Sequence, residues 1–78
     1  MKTPAQLIVP LARNARERVH MALRMFGPMT DEEIQGILRM GGSTQRPRRL
    51  ELQQAGRIVA GGKVKSGSGR KATLWKAA

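Results

Sequence analysis

The sequence predicts a small α+β domain in which three helices are followed by a β-hairpin. Three observations carry that expectation. Apolar residues recur at steps of three and four through Leu11, Ala15, Val19, Ala22, Leu23 and Phe26, and again through Ile34, Ile37 and Leu38, the period that lines one face of a helix. Each helical stretch is followed by glycine, at Gly27, at Gly41-Gly42 and at Gly56, the residue best suited to a helix exit. Beyond Gly56 the period changes to two, and Ser66-Gly67-Ser68-Gly69 divides the alternating segments, as in a hairpin.

The elements follow in order. Residues 1–9 read as an arm, with Thr3-Pro4 able to open a short turn and Pro10 interrupting any helix that runs through. The first helix is expected from Pro10, acceptable at a first helical position, to Phe26, where Gly27-Pro28 stops it. Thr30 and Glu33 then have the spacing of a capping box, and Asp31, Glu32 and Glu33 suit the positive end of the helix dipole. This second helix buries Ile34, Ile37 and Leu38 and ends at Gly41-Gly42. Ser43-Thr44 offer caps for a third helix over 45–55, with Pro47 in the first turn. In the hairpin, Ile58, Ala60 and Val64 share one parity, Ala72 and Leu74 alternate with Lys71 and Thr73, and Gly61-Gly62 suggest a bulge. Residues 10–78 are thus expected to form one domain.

Composition narrows the function. The 78 residues contain no cysteine and one histidine, which leaves no disulfide framework, no thiolate metal site and no histidine cluster. No metal or other cofactor is expected. Asp31, Glu32 and Glu33 are explained by helix capping, and His20 has no orienting partner for acid–base work, so no enzymatic activity is expected. Leu7-Ile8-Val9 is too short a run for a signal-peptide core or a membrane span, so the protein is expected to be soluble and cytoplasmic. The net charge is +10, and it is uneven. Residues 1–42 carry six bases against four acids, whereas residues 43–78 carry nine bases against Glu51 alone. Such a density attracts a polyanion by releasing condensed counterions, and nucleic acid is the commonest such partner.

Two short helices joined by a Gly-Gly-Ser turn, followed by a basic hairpin, have the order of a winged helix-turn-helix. The strings RRLEL at 48–52, AGRIV at 55–59 and GSGRKATLW at 67–75 stand in that order. With them the chain from Thr30 to Lys76 resembles a winged helix-turn-helix DNA-binding family common in bacteriophage and prophage sequences. The resemblance implies a small double-stranded-DNA-binding transcriptional regulator, working in the bacterial host cytoplasm if phage-encoded, with its third helix in the major groove and its wing on the backbone. It implies that Gln45, Arg46, Arg48 and Arg49 open the recognition helix, where an arginine fork reads guanine or holds a phosphate. It implies adenine reading by Gln45 and Gln53, a phosphate anchored by Ser43 and Thr44, and wing contacts from Lys63, Lys65, Ser66, Ser68, Arg70 and Lys71. One such domain covers only about 600–1,000 Å², so a second copy is expected on DNA.

Several alternatives stay open in the residues. Arg48 and Arg49 precede Leu52 by four and three positions, so at least one stem is expected near the core. Arg49 is either a scaffold residue paired with an acid of the second helix or a DNA contact. Leu50 and Leu52 cannot both be central on one face, which leaves the helix rotation open. Trp75 is expected to seal the hairpin against the first helix. Met21 and Met25 with residues 7–9 suggest a dimer or partner-docking stripe. The rival function is a protein-binding module that docks on a host or phage protein such as RNA polymerase; a third is a nonspecific DNA coat.

Overall fold

A computed structural model describes residues 3, 6, 7, 12–65, 67 and 69–78. Helices α1 (Ala15–Phe26), α2 (Asp31–Leu38) and α3 (Gly42–Gln54) precede strands β1 (Ile58–Lys65) and β2 (Lys71–Ala77). Three helices followed by an antiparallel hairpin is the α+β layout of a winged helix.

Local chemistry sets the helix boundaries, and three of them differ from the sequence expectation. α1 starts at Ala15 because the Asn14 side chain accepts the Glu17 N–H at 2.9 Å, while the Glu17 carboxylate accepts the Arg13 N–H. That Asn-x-x-Glu signal outweighs Pro10, which lies outside the described residues. Phe26, placed on the buried stripe by periodicity, is 41% exposed at the last turn, where Gly27 redirects the chain at φ 86°. The α2 capping box is complete: Glu33 N–H donates to Thr30 Oγ1 at 3.2 Å and Thr30 N–H to Glu33 Oε1 at 3.0 Å. α2 exits through Arg39, left-handed at φ 53°, ahead of the glycine pair.

α3 begins earlier than expected. Gly41 has the extended backbone of a cap, and its carbonyl accepts the N–H groups of Thr44 and Gln45 at 3.1 and 2.9 Å. Ser43 and Thr44 therefore wind into the first turn and cap nothing. Pro47 then falls inside the helix, on its exposed side with Ser43. On an exposed side water can serve the carbonyl that loses its usual N–H partner.

The core joins α1, α2 and α3 to the base of the hairpin, with Val19, Ile34 and Ile58 almost fully enclosed and Leu52 and Trp75 beside them. Trp75 has the core position expected of it. Met29 exchanges both backbone hydrogen bonds with Trp75, at 2.9 and 2.8 Å, so the segment before α2 flanks β2 on the side away from β1.

The hairpin contains the bulge that Gly61-Gly62 suggest, and the bulge overturns one expectation. Ala60 pairs with Trp75 and Lys63 with Thr73, so two β1 residues oppose Leu74 alone. The side-chain phase of β1 reverses across that step. Val64 leaves the face of Ile58 and Ala60, and Lys63 and Lys65 join Trp75, Thr73 and Lys71 on the helix-facing side. Gly62, at φ 119°, takes a backbone conformation that side chains resist, and at Gly61 a Cβ would stand 3.1 Å from the Lys76 stem lying across the bulge.

Candidate nucleic-acid interface

α3 divides its polar residues between two faces. Gln45, Arg48, Arg49 and Leu52 turn inward, whereas Ser43, Arg46, Pro47, Leu50, Gln53 and Gln54 are exposed. The rotation left open by the sequence is thereby fixed: Leu52 is buried and Leu50 is 46% exposed.

Asp31 organises the inward face. Arg49 grips its carboxylate with two hydrogen bonds, Nε to Oδ1 at 3.1 Å and Nη2 to Oδ2 at 3.0 Å. The guanidinium carbon lies 4.5 Å from the centroid of the Trp75 ring, and Nη1 donates to Gln53 Oε1 at 3.1 Å. Gln45 Nε2 donates to Asp31 Oδ1 at 2.9 Å and Gln45 Oε1 accepts from Gln35 Nε2 at 3.0 Å. Because a carboxylate only accepts, Asp31 fixes which end of the Gln45 amide faces it, and Gln45 fixes Gln35 in turn. Gln45 has no exposed surface and uses both ends of its amide. The expected adenine reader is therefore a core residue.

Arg49 is likewise the scaffold residue of the two alternatives, clamped to an acid of α2 and stacked on the wing tryptophan. Gln53 is exposed, but its oxygen is taken by Arg49, and it stands at the carboxyl end of α3. Arg48 is half-buried and ion-paired with Glu51 at 3.2 Å, beside Asn14, Ala15 and Arg16 of the α1 side.

What remains free gathers elsewhere. Arg46 is exposed, with no carboxylate within salt-bridge distance among the described residues, and its guanidinium folds over Gly42, where an added Cβ would stand 3.0 Å from Nη1. Across a cleft of about 200 Å³ lies β2, with Thr73 and Trp75 opposite Arg46 and Arg49. The register continues from Thr73 to Lys63, Lys71 and Lys65 on the same face. α3 and β2 thus border one cleft, which Thr30, Asp31 and Glu32 also line, and the hairpin lysines continue from Thr73 along the same strand face. Ser43 and Thr44 are exposed at the start of α3, and Arg70 is exposed ahead of β2. Ser66 and Ser68 lie outside the described residues.

Sequence reasoning offers an acid of α2 as the partner of Arg49 without choosing Asp31, and misses Gln35 as a partner and Gly42 as the seat of the Arg46 head. The available signal was the i, i+4, i+7 spacing of Gln45, Arg49 and Leu52, which demands an acceptor for two polar groups on an inward stripe.

On the α1 side a separate cleft of about 320 Å³ is lined by Arg16, Glu17, His20, Leu52, Ala55 and Arg57. Burial holds the His20 imidazole below its ordinary pKa, and the positive charges of Arg24 and Arg57 add to the effect. The unfolded chain therefore binds this proton at a higher pH than the folded one. Stability should be complete above about pH 6.5, begin to fall below it, and lose the whole His20 contribution once pH passes beneath the lowered value. Thermal melts between about pH 5 and 7.5 should show that slope, and His20→Gln should flatten it. An unchanged slope in the variant would assign the effect to other groups.

Among the described residues no helix is long and apolar enough to cross a membrane, and no group of His, Asp or Glu side chains could hold a metal ion. No family model matches the chain, and no curated protein matches it.

Proposed function

We propose that this protein binds double-stranded DNA, with the outward, amino-terminal half of α3 in the major groove and the helix-facing side of the hairpin along the adjacent backbone. The observation that carries the proposal is the sorting of charge. The carboxylates of Asp31 and Glu51 hold Arg49 and Arg48, while Glu17 and Glu33 accept backbone N–H groups at helix starts. Arg46, Lys63, Lys65 and Lys71 are exposed and outside any salt bridge among the described residues, Arg46 on α3 and the three lysines on the face of the hairpin that carries Thr73, and Glu32 is the one acid left unpaired beside them. Base reading would fall to Arg46, and to Pro47 and Leu50, whose apolar surface suits a thymine methyl group.

The finer proposal is a transcriptional regulator of the phage or prophage type. Selection from a random duplex library at about 150 mM salt tests it, since retention alone measures only the sequence-independent electrostatic part. An enriched motif is the expected result. Retention without enrichment would reduce the role to a DNA coat. The rival, docking on a host or phage protein such as RNA polymerase, is favoured by one observation: Leu7, Met25 and Phe26 are 43%, 45% and 41% exposed. Absence of retention would favour that reading.

A further inference from the structure

The hairpin has a second face, and the bulge gives it an unusual character. By reversing the phase of β1 it puts Val64 with Val59, Ala72 and Leu74 on the face opposite Trp75 and Thr73. Val59 and Val64 are 40% and 37% exposed there. A groove of about 600 Å³ runs between this face and the start of α2, with Pro28, Glu32 and Glu33 on one wall and Val64, Lys65 and Leu74 on the other.

The charges of the two walls are opposite, Glu32 and Glu33 facing Lys65. Glu32 is exposed and has no hydrogen-bond or ion-pair partner among the described residues, unlike Asp31 and Glu51, which are committed to Arg49 and Arg48. On a chain of net charge +10, this groove is where a basic copy of the same chain meets attraction in place of repulsion. A two-fold axis repeats each contact twice, so a patch with an acidic wall, an apolar middle and a basic wall complements itself.

We propose that the groove between the outer face of the hairpin and the start of α2 is a self-association site, in which two copies exchange wings. Val64 of each copy enters the groove of the other, and Lys65 of each meets Glu32 of the other. The apolar exposure that the bulge creates at Val64 then has a function, and Arg46, Lys63 and Lys71 stay free in each copy, with Lys65 shared between the two surfaces. The proposal shares Lys65 with the DNA-binding surface but does not rest on that reading, and its test contains no DNA.

Sedimentation equilibrium of the full chain at about 150 mM salt, where long-range repulsion is screened, should show the mass rising from 8.6 kDa toward about twice that value as concentration approaches about 0.5 mM, the range suited to a small interface. Glu32→Lys and Lys65→Glu should each hold the mass at the monomer value. An equimolar mixture of the two variants should regain association, because both cross-contacts in the mixed pair are again opposite in sign. A wild-type chain that stays monomeric throughout overturns the proposal. Variants that associate like wild type, or a mixture that fails to recover, overturn it as well.

Discussion

Asp31→Ala is expected to cost about 3 kcal/mol of stability, because it leaves the enclosed amide of Gln45 without its acceptor and the Arg49 guanidinium without its counter-charge. For a domain of this size that corresponds to a fall of about 12–24 °C in the unfolding midpoint, which is a large share of the total stability of a small domain. The loss should exceed that of an ordinary surface ion pair, worth at most about 1 kcal/mol, since Asp31 accepts three hydrogen bonds from two residues of α3. Asp31→Asn should fall between the two, as its one oxygen can still accept from Gln45 while Arg49 loses its charge partner. Thermal unfolding followed by circular dichroism measures all three proteins. A midpoint for Asp31→Ala within about 3 °C of wild type would contradict the role given to this carboxylate.

Neutralising Arg46, Lys63, Lys65 and Lys71 together, each as glutamine, is expected to reduce affinity for duplex DNA by about 10³-fold at about 0.15 M salt. The estimate follows from counterion release: each phosphate contact contributes about 0.9 to the slope of log K against log salt, so four contacts remove about 3.6 from it. All four side chains are exposed, and none is in a salt bridge among the described residues, so the unfolding midpoint should hardly move. That combination separates this set from Arg49, whose replacement should show first in stability. Fluorescence anisotropy with a labelled duplex over a salt series gives affinity and slope together. An affinity loss under about tenfold, with the slope unchanged, would remove these four residues from the interface.

The two predictions mark how much of the molecule was legible in its sequence. The Thr30/Glu33 capping box, the bulge at Gly61-Gly62 and the core position of Trp75 were all readable, because each depends on neighbours a few residues away or on a strong local bias. The start of α1 lies at Asn14-x-x-Glu17 and not at Pro10, a cap signal that the proline upstream obscures in the sequence. Arg49 was readable as a pair of alternatives. Its resolution needed Asp31, 18 positions away, to be brought within 3.0 Å. The place of Gln45 was not legible, because an amide in the first turn of a helix looks the same in sequence whether it faces a ligand or a buried carboxylate.

By itself the sequence determined the three helices, the hairpin, the absence of cysteine chemistry and the concentration of positive charge in the second half, all of which are sums or short-range patterns. The tertiary structure alone decided which cations are spent on the scaffold and which stand free. It also decided which face of α3 is outward, and on which side of the wing Lys63, Lys65 and Val64 fall. The physical reason is that hydrogen bonds to a shared carboxylate, burial and strand register each join residues far apart in the chain. A composition of fifteen bases and five acids leaves open which of them will pair.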